Sequence, residues 1–202
     1  MDRRAFLASL AGLLLALSST PAAAQFSDSY NFLKAVRDAD GVAAQKALDR
    51  AGVTLINTRD YSTGESGLHI TIKRRDLTWT RFLLARGANP DIKDAHGDTP
   101  LIAATRLGFA QGAELLIGQR ARINLGNSSG ETPLIIATQQ RNTQMVRLLL
   151  SYGADPKQAD RIAGKSARDY ASEDPRSAAV LKIIDESKAP VQAKPKVAGP
   201  SL

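Results

Sequence analysis

The sequence predicts an all-α solenoid of about five stacked helix-turn-helix units joined by hairpin-like loops. A glycine recurs at positions 64, 97, 130 and 164, with spacings of 33, 33 and 34 residues. An apolar block recurs in step with it, as RFLLARGANP from Arg81, ELLIGQRARI from Glu114 and RLLLSYGADP from Arg147. Aromatic residues make up only 5% of the chain, which favours helices packed through small side chains. Units repeated at this period bury their apolar faces against one another.

Each unit is predicted to open with a short first helix. A hydroxyl residue stands where it caps the exposed backbone amides of that helix. These residues are Ser66, Thr99, Thr132 and Ser166. Pro100 and Pro133 follow their threonines at the first helical position, where the missing N–H costs nothing.

A second helix in each unit is expected to begin near Asp76, Phe109 or Asn142. Gly87 and Gly153 then end the helix, because glycine accepts the left-handed conformation that such a stop requires. Arg120 stands where the intervening unit lacks this glycine, so its helix is expected to end differently or under strain.

The repeated blocks are similar to a known family signature. Thr99-Pro100-Leu101 and Thr132-Pro133-Leu134 match the start of T-P-L-H-x-A, and Leu68-His69 supplies the Leu-His that those copies lack. Gly87-Ala88-Asn89-Pro90 and Gly153-Ala154-Asp155-Pro156 match the end of a unit. The pattern resembles the ankyrin repeat from about Ser27 to Ser187.

This resemblance gives a complete division of the chain. We expect a cleavable signal peptide, an N-terminal capping repeat, three internal repeats, a C-terminal capping repeat and a disordered tail. The boundaries are 1–24, 25–63, 64–96, 97–129, 130–163, 164–187 and 188–202.

The N-terminus has the pattern of an export signal. Arg3-Arg4 precede an apolar run that is followed by STPAAAQ, and we expect cleavage after Ala24. The paired arginines fit either the twin-arginine or the general secretory route, and the sequence leaves both open. We therefore predict location in the periplasm of a Gram-negative bacterium, or secretion, with no stable membrane insertion after the signal is removed. The chain has no Cys, so disulfides and thiolate metal sites are excluded.

The charge of the chain is only mildly basic. The full sequence has a formal net charge of +7, and removal of Arg3, Arg4 and Asp2 with the signal leaves +6. Three positive charges lie in the tail, at Lys188, Lys194 and Lys196, so the folded part gives no argument for nucleic acid as a partner.

Two short motifs resemble motifs found in catalytic sites. Gly164-Lys165-Ser166 is the ending of a phosphate-binding loop, and Gly126 to Gly130 reads G-x-S-x-G, the pattern of a hydrolase nucleophile elbow. Both motifs need a preceding strand, whereas the repeat makes Gly130 and Gly164 the same structural glycine in successive units. We therefore interpret both as loops between repeats, and predict no enzymatic activity and no cofactor.

The two histidines are given different roles. His69 fills the histidine position of the repeat signature, which implies a structural hydrogen bond between units. His96 lies at a loop tip beside Asp94 and Asp98, and we interpret this group as solvated surface with no metal.

Two packing relationships follow from the 33-residue register. Arg81, Glu114 and Arg147 occupy one column and are expected to form an ion-pair ladder along the outer face. Trp79 shares a column with Gly112, and we predict that its indole leans over that glycine.

The resemblance implies a function as a protein-protein interaction module. In this family the loop tips and the ends of the first helices contact the partner on a concave face. The matching residues are Tyr61, Glu65, Lys73, Arg74, His96, Asp98, Arg106, Leu107, Ser129, Glu131, Gln139 and Gln140. We expect a monomer that binds an unidentified protein. The alternatives are a basic cell-envelope binder of anionic glycan or lipid headgroups, or a regulatory subunit of an exported enzyme.

Overall fold

The computed structural model describes residues 22–51 and 53–187, and within these ranges ten α-helices pair in chain order. The first helices of the pairs are α1 (Ala22–Asp38), α3 (Gly67–Lys73), α5 (Pro100–Arg106), α7 (Pro133–Gln139) and α9 (Ala167–Glu173). The second helices are α2 (Gly41–Ala51), α4 (Leu77–Ala85), α6 (Ala110–Gly118), α8 (Thr143–Ser151) and α10 (Ala178–Glu186). Two 3-10 turns cover Val53–Asn57 and Pro175–Ser177. The all-α solenoid predicted from the repeat is confirmed.

Side-chain caps start the first helices of the last three units as the sequence predicts. The hydroxyl of Thr99 accepts a hydrogen bond from the amide of Ile102 at 3.2 Å, and that of Thr132 accepts one from Ile135 at 3.3 Å. In the last unit the amide of Ser166 donates to the carboxylate of Asp169 at 2.9 Å. These caps satisfy donors that a helix start leaves unpaired.

A left-handed residue makes the turn between the helices in the first four units. These residues are Ala39, Arg75, Gly108 and Arg141, with φ between 54° and 60°. The two arginines among them also bind the following unit. Arg75 donates to the carbonyl of Leu107 at 2.6 Å, and Arg141 donates to Asp174 at 3.1 Å. The fifth unit has Pro175 near this point, and a 3-10 turn replaces the left-handed one because proline fixes φ near −65°.

The ends of the second helices also follow the sequence. Gly87 and Gly153 have φ of +84° and +89°. Arg120 occupies the same position with φ of +67°, so the helix ends by the same bend without glycine. A left-handed residue with a Cβ costs about 1 kcal/mol, which is the strain expected at this position.

One continuous apolar core runs through the pairs. Leu68, Leu101 and Leu134 are buried at equivalent positions, and alanines such as Ala104 and Ala137 let the first helices approach closely. In the internal pairs, neighbouring first helices pack more extensively than neighbouring second helices, so the array curves toward its first helices. Its outer face is therefore formed by the second helices.

The last unit departs from this core. Arg168 stands at the position of the buried leucine, is exposed, and pairs with Asp185 at 2.7 Å. Its polar side chain faces water because no further unit covers it.

Two packing predictions are wrong. Arg81, Glu114 and Arg147 are exposed, but none of them forms an ion pair among the described residues, so the ladder does not form. The atoms nearest to a Cβ built on Gly112 belong to Phe109 and Ile72, at 2.4 and 3.0 Å, and not to Trp79. Trp79 instead packs edge-on against Phe82, with ring centroids 5.4 Å apart. The large side chain over the glycine therefore comes from its own unit.

Two sequence predictions concern residues outside those described. The signal segment falls almost entirely on residues 1–21, and the basic tail covers residues 188–202. Helix α1 begins at Ala22, just before the predicted cleavage site. No helix in residues 22–51 and 53–187 is long and apolar enough to cross a membrane.

Candidate protein-binding face

Four loop tips lie side by side along one edge of the array. We call residues 60–64, 94–97, 127–130 and 160–164 the tip row. Each tip is folded around one Asp or Asn side chain that accepts two or three backbone N–H bonds. The side chains are Asp60, Asp94, Asn127 and Asp160. Such side chains replace backbone hydrogen bonds in tight turns, so every tip has a fixed shape.

Backbone hydrogen bonds join each tip to the next. The amide of Ala95 donates to the carbonyl of Thr63 at 3.0 Å, and the amide of Ser128 donates to that of His96 at 3.3 Å. The amide of Arg161 donates to the carbonyl of Ser129 at 2.8 Å. The tip row is therefore one connected edge and not four independent loops.

The recurring glycine allows these contacts. Gly64, Gly97, Gly130 and Gly164 all have positive φ, between 65° and 81°. A Cβ on Gly97 would lie 2.6 Å from the amide nitrogen of Ser128, whereas a Cβ on Gly164 would meet nothing within 4 Å. The equivalence predicted for Gly130 and Gly164 is confirmed, and no β-strand precedes either loop within the described residues. At the second loop Ala159 makes only an isolated bridge with Ser166.

The ends of the first helices lie beside the tip row and carry charged pairs. Lys73 pairs with Glu65, and Lys165 pairs with Glu173 at 2.6 Å. In each of these pairs, one charge precedes a first helix and the other lies near its end. Positive charge on this face is therefore largely balanced by nearby carboxylates.

Asp98 belongs to a network of four side chains that joins two units. Its carboxylate accepts from Arg106 Nε at 2.8 Å and from Asn127 Nδ2 at 3.0 Å. Arg106 also approaches Glu131 at 3.4 Å. The hydrogen bond to Asp98 raises the pKa of Arg106 above its usual value. Asp98 itself is buried, so its predicted role in binding would act through Arg106.

Arg74 is also held by the fold. Its guanidinium donates to the carbonyls of Val36 and Arg37 at 2.7 and 2.8 Å, and to Asp76 at 2.8 Å. These bonds tie the first unit to the second. They leave part of the guanidinium at the surface, where it stands with the other first-helix ends.

The predicted site residues gather at the tip row and the first-helix ends, with different exposure. Tyr61 is 96% exposed at the tip of its loop. The other exposed residues are Lys73, Arg74, His96, Arg106, Gln139 and Gln140. Those half-buried are Glu65, Leu107, Ser129 and Glu131. Leu107 packs against the core and its carbonyl accepts from Arg75, so it presents only part of an apolar surface.

The sequence interpretation missed two features of this face. Ile162, which is 81% exposed, lies in the last tip and matches Tyr61 as an apolar side chain that the fold does not bury. The Asp or Asn at each tip is the second, and it forms a further repeated column that precedes each repeated glycine by three or four residues.

His69 is a structural residue, as predicted. It is fully buried; its Nε2 donates to the carbonyl of Asp98 at 2.9 Å, and its Nδ1 accepts from the amide of Ser66 at 3.2 Å. Burial lowers the pKa of this imidazole. His96 is exposed, with its amide bonded to Asp94 at 2.8 Å. Within the described residues, no group of three or more His, Asp or Glu side chains is placed to hold a metal ion.

Comparison with known proteins agrees with this architecture. The family profile described as ankyrin repeats (3 copies) matches residues 32–127, 68–160 and 111–192 of this chain. BRCA1-associated RING domain protein 1 of Caenorhabditis elegans is 34% identical over 140 residues, which cover 66% of this chain. The matched segment spans only 19% of that relative's length, so the similarity concerns the repeats. Ankyrin repeats are protein-protein interaction modules, and this chain belongs to the ankyrin-repeat family.

Proposed function

We propose that this chain is an exported scaffold that binds a partner protein through the tip row and the first-helix ends, and that it does no chemistry itself. The observation that carries this proposal is the exposure of Tyr61 and Ile162, at 96% and 81%, on a row of tips joined by backbone hydrogen bonds. Large apolar side chains dominate interface energies, and a preformed surface loses little entropy on binding.

The polar side chains around these two residues suit the rim of an interface. Arg106 and Lys73 are held by carboxylates in fixed positions, and Gln139 and Gln140 are exposed between them and the last unit. Residues of this kind give specificity through hydrogen bonds, while their charges are already balanced. We therefore expect a partner that is recognised by shape and apolar contact more than by net charge.

The absence of catalysis is part of the same proposal. The motif that resembles a phosphate-binding loop places Lys165 in an ion pair with Glu173 at 2.6 Å. Its glycine, Gly164, is the tip glycine of the repeat with φ of +65°. The repeat therefore accounts for Gly164 and Lys165 as structural residues, and no catalytic role is needed to explain them.

Affinity capture from periplasmic extract tests the binding surface. The wild-type chain should capture a partner protein. The double variant Tyr61→Ala, Ile162→Ala should recover about tenfold less of that partner, since exposed apolar anchors contribute most at such interfaces. The matched control is Val42→Ala, Tyr152→Ala, which removes two exposed apolar side chains from other surfaces. Equal recovery of the partner by both double variants would contradict the proposed face.

Export is tested by the mature N-terminus. Cell fractionation should recover the chain in the periplasm or the medium, with Gln25 as its first residue by N-terminal sequencing. Arg3→Lys, Arg4→Lys separates the two routes, because loss of export would identify the twin-arginine route and its retention the general one. Recovery of an uncleaved chain in the cytoplasm would contradict export.

A further inference from the structure

The outer face of the array carries charges that no ion pair neutralises. We call Lys46, Arg81, Arg86, Arg120 and Arg147 the outer basic strip. All five are exposed, and none forms an ion pair with another described residue. The acidic residues on helices α2, α4, α6 and α8 are Asp49 and Glu114, and neither forms an ion pair with another described residue. This differs from the first-helix face, where the basic residues Lys73, Arg74 and Arg106 are each paired.

The strip extends along the stack because its members repeat with the units. Arg81 and Arg147 flank Glu114 at equivalent positions of α4, α6 and α8, and Lys46 lies one residue beyond the corresponding position of α2. Packed helices are about 8–10 Å apart, so these charges are spread over several units. Arg81 and Arg147 lie two units apart and do not stabilise the fold as a pair, so their arrangement suits a ligand that supplies separate negative groups.

The chain continues from the same side of the array. Arg86 and Arg120 follow the C-terminal ends of α4 and α6, and residues 188–202 follow the equivalent end of α10. That segment contains three Lys and neither Asp nor Glu. It has the same sign of charge as the strip, so the strip is not a surface that attracts it.

We propose that the outer basic strip docks the array on a membrane surface rich in anionic phospholipid headgroups. Guanidinium groups bind phosphate through two parallel N–H bonds, and mobile headgroups can gather beneath separate charges. An acidic protein would need carboxylates fixed at the same spacing, and stable protein interfaces usually add apolar anchors at their centre. Docking through the second helices would leave the tip row and the first-helix ends free for the proposed protein partner.

Vesicle co-sedimentation of the full chain tests this proposal. The chain is sedimented with vesicles of phosphatidylglycerol and phosphatidylcholine, and separately with vesicles of phosphatidylcholine alone. The preference is the ratio of the two partition coefficients, because apolar insertion of the N-terminal segment contributes to both and cancels in the ratio. We expect a strong preference for the anionic vesicles that falls as salt is raised. Replacement of Arg81, Arg86, Arg120 and Arg147 by Gln should lower the preference about a thousandfold.

Two further variants show whether position or net charge is responsible. Replacement of Arg50, Arg141, Arg168 and Arg176 by Gln removes the same charge from arginines that are ion-paired, and should lower the preference far less. Glu114→Lys should raise the preference about thirtyfold, because it changes the charge of the strip by two. Thermal melting of each variant verifies that the fold is retained.

Several outcomes would overturn the proposal. These are equal losses in the two four-arginine variants, no preference for anionic vesicles at low salt, and retention of binding by the strip variant with loss after truncation at Ser187. Strip-dependent binding to polyglutamate without binding to vesicles would assign the strip to an acidic protein.

Discussion

The imidazole Nε2 of His69 lies 2.9 Å from the carbonyl oxygen of Asp98, one unit further along the array. The carbonyl can only accept, so Nε2 carries the proton and Nδ1 accepts from the amide of Ser66. The neutral ring thus fastens the start of α3 to the loop before α5, inside the core.

This arrangement predicts a loss of stability in weak acid. Burial lowers the pKa of His69 below its value of 6.5, so the unfolded chain binds the proton more readily than the folded one. The stabilisation is complete above pH 6.5 and is lost as pH falls toward the folded-state pKa. Urea unfolding at pH 7.5 and 5.5 should therefore give a lower free energy of unfolding at pH 5.5.

His69→Ile is the control for the titration. Ile102 and Ile135 occupy the equivalent positions in the next two units, so isoleucine fits this column. The variant should be less stable at pH 7.5, because it lacks the bond to Asp98, but its stability should change less between the two pH values. An unchanged pH dependence would assign the effect to other groups.

Thr138 offers a gain in stability. Its hydroxyl is buried and has no hydrogen-bond partner among the described residues, whereas the equivalent hydroxyl of Thr105 donates to the carbonyl of Leu101 at 2.9 Å. Thr138→Val should stabilise the array by about 1 kcal/mol, since an unsatisfied buried hydroxyl costs about 1–3 kcal/mol. Thr105→Val should be neutral or destabilising. Thermal melting distinguishes the two, and equal shifts would contradict the explanation.

The tip glycines should differ in their tolerance of a side chain. Gly97→Ala brings a Cβ to 2.6 Å from the amide nitrogen of Ser128, whereas Gly164→Ala meets open space. Both changes incur about 1 kcal/mol of left-handed strain, and the first adds about 1–3 kcal/mol for the clash. Chemical denaturation should therefore show a much larger loss for Gly97→Ala. Similar losses would show that the joined tips contribute little.

Arg120→Gly should stabilise the array. Arg120 has φ of +67° and is exposed, so glycine relieves backbone strain without loss of a contact. We expect a gain of about 0.5–1 kcal/mol and a melting temperature about 2–4 °C higher. Arg147→Gly, in the interior of α8, is the matched control and should lose about 1 kcal/mol. A lower melting temperature for Arg120→Gly would contradict the strain.

The repeat made the fold predictable, but it did not determine contacts between side chains. The caps at Thr99 and Thr132 depend on the neighbouring backbone, so their register alone predicted them. The position of Trp79 depends on how neighbouring helices rotate, and it packs on Phe82 instead of over Gly112. Side chains in one column of a repeat lie on the same face, which does not bring them into contact.

The candidate site was partly predictable for the same reason. The residues of the tips could be matched to the family by position, which located Tyr61. The network around Asp98 joins Arg106 and Asn127 to Glu131 of the next unit, and no local pattern indicates it. Ile162 lies in a unit that the sequence predicts as a cap, and the positions matched to the family do not include it.

Photo-crosslinking in living cells tests the binding face most directly. A photoreactive benzoylphenylalanine would be placed at position 61, at position 162, or at position 152 on the outer side. We expect one shared protein adduct from positions 61 and 162, absent at position 152. Protein adducts formed only from position 152, or none from positions 61 and 162, would contradict binding through the tip row.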